Sequence, residues 1–376
     1  MRSVIAVCLA CGGGGGFSTL AFADALENSL VAGVGADYDT NPRMVSGSHN
    51  GAMRYRITPQ YTGKFTEDLN ELTFSAGALI ERSSDQKVSR DRNDPNVRLG
   101  WRHTLESGEF SLDAAASTMS ARTAELANNA QVAADTTQTN KSLGSRWQYS
   151  LTERLGFALT GDYRSVTSDK GNSNGASNLT DYTTTSTGLT VNYNLDENSE
   201  IFTSLTASHY EPDNASRPSS NTYGGLLGYK RKISDEFGWS LQGGPVRITG
   251  VNPVSSWQGG GQVNYTGEKV NASLDVGRSV LASSVTGGFS NSEQVRFQLS
   301  YPLDENTRAG TDYAWIKTKT TTASTSKVYG LFLSRELSPS WTVMLRYQNR
   351  QLEPSSGGSA SANMLGLTFN YTIPDF

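Results

Sequence analysis

Three observations predict an all-β chain closed into one antiparallel transmembrane β-barrel of about 18 strands. Apolar and polar residues alternate with a period of two along most of the chain. Short turns and long loops follow one another in a regular beat, and aromatic residues gather towards both ends of the alternating runs.

The alternation is clear between Gly51 and Thr66. Met53, Tyr55, Ile57, Pro59, Tyr61 and Phe65 share one face, and Arg54, Arg56, Thr58, Gln60, Thr62 and Lys64 the other. Val295–Leu303 and Trp341–Tyr347 repeat the pattern. Eight short polar turns punctuate the runs, from Glu67-Asp68-Leu69-Asn70 to Ser338-Pro339-Ser340. Two are near copies, Tyr193-Asn194-Leu195-Asp196-Glu197-Asn198 and Tyr301-Pro302-Leu303-Asp304-Glu305-Asn306. Nine longer connections rich in Ser, Asn, Gly and Thr lie between them, centred on 41–50, 83–95, 119–138, 166–181, 211–221, 245–255, 281–292, 319–326 and 351–361. Seventeen connections require 18 strands, with both chain ends on the short-turn side. Composition does not shift along the chain, so one domain is expected.

Phe65, Phe74, Trp101, Phe110, Trp147 and Trp341 lie on the apolar face near the short turns, and Tyr38, Tyr163, Tyr223, Trp257, Trp315 and Tyr347 near the long loops. Leu, Val, Ala and Gly fill the belt between. Aromatic rings favour the headgroup level, so two girdles around an aliphatic belt fit two membrane interfaces. A soluble sandwich would bury the same face in a protein core, but it has no need of aromatics at both strand ends. Pro59 cannot donate to a ladder and calls for a bulge.

Composition narrows the class. Hydrophobic residues make up 36% of the 376, and mean hydropathy is −0.45, which excludes helical membrane spans. Net charge is −4 without a basic block, so no nucleic-acid partner is expected. The N-terminus reads as a cleaved signal peptide over 1–23: Arg2, then the apolar run Val4–Ala10, then Ala21-Phe22-Ala23 before Asp24. Residues 24–376 then form the barrel, a multi-pass protein of the cell outer membrane with outer-membrane lipid around it. Both cysteines, Cys8 and Cys11, leave with the leader. The alternative is a lipoprotein modified at Cys11.

If the apolar face meets lipid, the polar face lines a wet interior. The expected pore-lining set is Arg54, Arg56, Glu71, Arg98, Arg102, Asp113, Arg146, Asp162, Arg164, Lys230, Gln262, Asp275, Arg296, Asp312 and Arg346. Signs alternate between consecutive strands, acidic in the first, third and fifth and basic in the second, fourth and sixth, so cross-strand ion pairs are expected. A barrel of this size has a backbone radius of about 18 Å, too wide for side chains to fill. The mixture of signs argues against strong selectivity for small ions of one charge.

The loop at 119–138 stands apart. Ala121, Ala124, Leu126, Ala127, Ala130, Val132, Ala133 and Ala134 give it high helix propensity. A short helix within 121–134, folded into or across the lumen, would bury these residues and set Arg122, Glu125 and Asn129 at a constriction. A frayed helix above the mouth is the alternative. Catalytic and metal constellations are absent: His49, His103 and His209 have no second histidine at ligand spacing, and no cofactor motif sits on a strand-to-helix turn.

Tyr38-Asp39-Thr40-Asn41-Pro42 at the end of the first strand, and a last strand running from Leu365 to Phe376, resemble the β-barrel porin (type 2) family, which includes outer-membrane barrels associated with exopolysaccharide secretion. The resemblance implies an export porin for a polysaccharide, acting with a periplasmic polysaccharide-export protein. The general alternative is a diffusion porin for small hydrophilic solutes, which the long third loop keeps open. Phe376 looks like a signal for the barrel-assembly machinery, although it is out of phase with Phe369, Tyr371 and Ile373.

Overall fold

The computed structural model describes residues 26–47, 49–130, 136–169, 179–214, 217–250, 253–319, 323–354 and 358–374. The expected leader over 1–23, Phe376 and residues 131–134 lie outside them.

The described residues form eighteen strands and one helix. In order they are β1 Leu26–Asp39, β2 Ala52–Glu67, β3 Asn70–Ser83, β4 Arg92–Leu105 and β5 Gly108–Ser120, then helix α1 Ala121–Asn129, then β6 Thr137–Ser150, β7 Leu155–Ser168, β8 Tyr182–Asp196 and β9 Ser199–Pro212. The second half holds β10 Ser220–Lys232, β11 Phe237–Thr249, β12 Val254–Thr266, β13 Asn271–Ser283, β14 Gly288–Pro302, β15 Thr307–Lys319, β16 Ala323–Ser338, β17 Trp341–Pro354 and β18 Ala360–Pro374. Each strand pairs antiparallel with its chain neighbours. β1 closes on β18, with Ser29 opposite Pro374 and Asp39 opposite Met364. Closure removes the sheet edges that would expose unpaired backbone to lipid.

Followed once round the wall, the register returns to β1 displaced by about 22 residues. With strands about 4.8 Å apart this gives a tilt of about 40° and a backbone radius of about 18 Å.

The pleat sends the apolar phase of every strand outwards. Leu159, Leu205, Leu227, Leu241, Leu331 and Leu345 are all exposed, Leu227 at 62%. Leaving such a side chain in water forfeits about 1.5–3 kcal/mol each, so a belt of them around the ring requires lipid. The outer aromatics touch across strands: Trp147 lies 5.3 Å from Phe157, and Trp341 4.8 Å from Tyr371.

The eight short turns fall between the strands as the spacing predicts, and the two near copies share one side-chain bond. Asp196 Oδ1 accepts the Asn198 N–H at 2.8 Å, and Asp304 Oδ1 the Asn306 N–H at 2.9 Å. Pro59 lies in a gap of the β2–β3 pairing, between Ile57–Ile80 and Gln60–Gly77, with the same register on both sides, so the gap accommodates the missing donor without the expected bulge. Three expected long loops are short between their strands: β11 ends at Thr249 and β12 starts at Val254, β15 ends at Lys319 and β16 starts at Ala323, and 281–292 is a tight hairpin, because β13 runs on to Ser283 and β14 starts at Gly288. Gly287 supplies the left-handed residue, φ 66°, that the turn requires.

Parity gives a direct test. Leu299 faces outwards opposite Thr311, while the exposed Arg296 faces in. Leu299→Arg is expected to destabilise the barrel by about 2–4 kcal/mol, and Arg296→Gln hardly at all. Urea unfolding in lipid vesicles reads both, and equal shifts would refute the assignment.

Candidate functional site: a lumen narrowed at the long-loop end

The inner wall carries the expected ladder of ion pairs. Arg98 meets Asp113 at 2.8 Å, Arg102 meets Glu109 at 3.3 Å and Glu71 at 3.8 Å, and Lys64 meets Glu71 at 3.0 Å. On the far side Arg346 meets Asp312 at 2.6 Å. These pairs join neighbouring or next-but-one strands because the pleat sets inward residues of opposite sign side by side.

Towards the long-loop end the ladder condenses into a buried cluster. Arg54 donates to Asp37 at 2.8 Å and lies 3.2 Å from Asp39. Arg56 bridges Asp37 at 3.0 Å and Glu81 at 2.8 Å. Arg92 joins Glu81 at 3.2 Å and Asp94 at 3.4 Å, and Arg350 pairs with Asp39. Asp39 also accepts the Asn41 N–H at 3.1 Å, which turns the chain inwards after β1. Four carboxylates thus offset four guanidinium groups, which burial demands. Arg54 therefore does not line water, contrary to the sequence expectation; it is only 8% exposed and braces the wall.

The helix α1 covers this region from inside. Ser120 caps it by accepting the Thr123 N–H, and Ala130 ends it in the left-handed conformation. It leaves β5 and touches β13 and β15, which stand about half-way round the ring. Leu126 packs with Met44, Leu352, Ala360 and Ala362, the last three on inner positions of β17 and β18. Glu125 accepts hydrogen bonds from Ser283 Oγ at 3.0 Å, the Ser284 N–H at 3.2 Å and Ser284 Oγ at 2.6 Å. Arg122 donates to the Pro42 carbonyl at 3.2 Å. Asn129 is the last residue of the helix.

Sequence reasoning missed the partner of this helix. The β13–β14 tip leaves the wall and bends over the mouth, where Ser284 accepts the Thr180 N–H at 2.8 Å and Ala121 packs with Leu179 and Val285. Phe289 reaches Tyr210, ring centroids 5.7 Å apart, and Tyr210 stacks on Tyr182 at 4.8 Å. The signal lay in phase: Tyr182 and Tyr210 occupy the otherwise polar, inward positions of β8 and β9.

The remaining expected residues stay on the open wall. Arg146 donates to Gln148 at 3.2 Å and Arg164 to Asn140 at 3.1 Å. Gln262 donates to Asn264 at 3.4 Å, and Asp275 accepts from Gln294 at 3.4 Å while facing Arg296 in register. Asp162 and Lys230 are exposed on inward positions. Among the described residues, Arg146, Arg164, Lys230 and Arg296 form no ion pair.

No family model matches this chain, and no curated protein matches it. Solved structures do. OccK2 (OpdF) of Pseudomonas aeruginosa aligns with a TM-score of 0.53 at 9% identity over 93% of this chain and 98% of its own. OccK9 (OpdG) of the same organism gives 0.52 at 12% over 94% and 99%, and its outer membrane protein OpdK 0.51 at 12% over 94% and 100%.

The fold is that of outer-membrane porins. With its apolar belt and two aromatic girdles, the barrel sits in the outer membrane, short turns towards the periplasm and long loops outside. The porin architecture implied by the short sequence motifs stands; the tie to exopolysaccharide secretion gains no support from these neighbours.

Proposed function

We propose that the protein is a passive diffusion channel for small hydrophilic solutes. The observation that carries this reading is α1, which turns from β5 into the lumen and is tied by Glu125 to Ser283 and Ser284 of the inbent β13–β14 tip. A polymer conduit needs a clear bore, and a helix with side chains is about 10 Å across, so a helix held inside the mouth disfavours the polysaccharide-export reading. The unpaired inward Arg146, Arg164, Lys230 and Arg296 give a solute charged and polar partners below the narrow zone. One structural neighbour, OpdK of P. aeruginosa, has been crystallised with vanillate, a solute of the size class proposed here.

Liposome swelling with the purified protein tests the reading. Monosaccharides and amino acids are expected to permeate readily and dextrans not at all. Dextran entry at a comparable rate would overturn the assignment and restore the polymer reading.

A further inference from the structure

The outer surface is not uniform around the ring. At the level just above the upper aromatic girdle, β11 to β16 present Arg247, Arg278, Lys317, Lys319 and Lys327 on outward positions. Two carboxylates, Glu293 and Glu353, stand among them. On the outward phase of β7 to β10 the same level carries Ser165, Thr183, Thr185, His209 and Tyr223, and no Lys or Arg among the described residues.

The cations are held in place and under-neutralised. Glu293 lies opposite Arg278 on one side and Lys317 on the other; it is 3.7 Å from the Arg278 guanidinium and 3.1 Å from Lys319 Nζ. One carboxylate thus pairs with two cations and has a third, Lys317, opposite it in register. The Arg278 guanidinium sits 4.9 Å above the Trp257 ring and donates to Ser256 Oγ at 3.0 Å, while its buried Nε has no acceptor. Directly below run Trp257, Trp315, Tyr313 and Tyr329, the last two with centroids 4.9 Å apart. Rings mark the headgroup boundary of the lipid, so these cations lie at headgroup height rather than in bulk water. A surplus of positive charge there attracts anionic headgroups at about 1 kcal/mol per Lys or Arg.

We infer that Arg278, Lys317 and Lys319 form a binding site for the phosphorylated headgroup of an outer-leaflet glycolipid. Arg278 and Lys317 stand two strands apart, about 10 Å, which lets a sugar headgroup spread its phosphates across them while its acyl chains descend over the aromatic shelf. The guanidinium, pre-oriented on Trp257, supplies the forked donor that phosphate takes. The inference rests on the long loops facing the outer leaflet, and it does not depend on what the pore carries.

The test uses the full-length barrel in detergent, titrated with diphosphorylated lipid A or with the same lipid stripped of phosphate, and read by native mass spectrometry. The probe proteins are wild type, the triple variant Arg278→Gln/Lys317→Gln/Lys319→Gln, and a control, Arg82→Gln/Lys141→Gln, on the other side of the rim. Wild type and control are expected to prefer the phosphorylated lipid, and the triple variant to bind it about tenfold or more weakly. Equal binding of both lipids by wild type, or triple-variant affinity within twofold of wild type, overturns the site. An equal loss in the control overturns it too, since diffuse rim charge would then explain binding. Single-channel conductance of each variant is expected to match wild type, which shows the barrel intact. A protein that bound lipid A yet formed no channel would refute the channel reading and leave the site standing.

Discussion

Removing residues 122–133 is expected to raise single-channel conductance several-fold. The backbone cylinder has a radius of about 18 Å, and wall side chains reduce the free bore by several ångströms on each side. A helix about 10 Å across, held within that bore, then obstructs it substantially. α1 touches β13 and β15, and Glu125 ties it to the inbent β13–β14 tip through three hydrogen bonds to Ser283 and Ser284. A Gly/Ser linker in place of 122–133 keeps β5 and β6 joined while clearing the bore, and planar-bilayer recordings give the result. Glu125→Ala is expected to give a smaller increase with more open-state noise, because α1 keeps its Leu126 contacts with Met44, Leu352 and Ala362. Wild-type conductance after the deletion would place the helix outside the current path and remove the support for small-solute selection.

Strand number, turn positions and face assignment were legible because each has a one-dimensional signature. Alternation fixes which residues of β2 face lipid, and Asp-Glu-Asn turns fix where β8 and β14 end. The same logic gave the expectation of cross-strand ion pairs between consecutive strands, of which Arg98 with Asp113 and Arg56 with Glu81 are instances. The helix was legible in part: Ala and Leu in a loop must be buried somewhere.

What stayed hidden depends on distance across the barrel. Ser283 and Ser284 look like loop residues in the sequence. They become partners of Glu125 only because the β13–β14 tip bends inwards, a long-range closure with no local marker. The burial of Arg54 was hidden for a similar reason. Its phase is that of a pore residue, but the turn at Asn41–Val45 and α1 close over it from elsewhere in the chain. Tyr182 and Tyr210 did carry a signal, being aromatic residues on a polar phase, and that kind of exception marks an inward-packed cluster even without a structure.

The loss of one buried carboxylate is expected to cost the barrel much of its stability. Asp39 is fully buried and stands between Arg54 and Arg350. Arg350 belongs to β17, so this pair reaches over β18 and ties the two chain ends across the seam where β1 closes the barrel. Asp39→Ala leaves Arg350 buried without its carboxylate and releases the Asn41 N–H that Asp39 accepts. Breaking such a pair costs about 3–5 kcal/mol; Arg54 retains Asp37, so the lower end, about 3 kcal/mol, is expected. Asp113→Ala breaks a pair that faces lumenal water, with Arg98 67% exposed, and is expected to cost less than about 1 kcal/mol. Urea unfolding in lipid vesicles compares the two directly. The double variant Asp39→Leu/Arg350→Leu separates charge from packing: if the penalty is an uncompensated guanidinium, the double variant recovers most of the stability that Asp39→Ala loses. If it is as unstable as the single variant, the ion pair itself holds the seam shut.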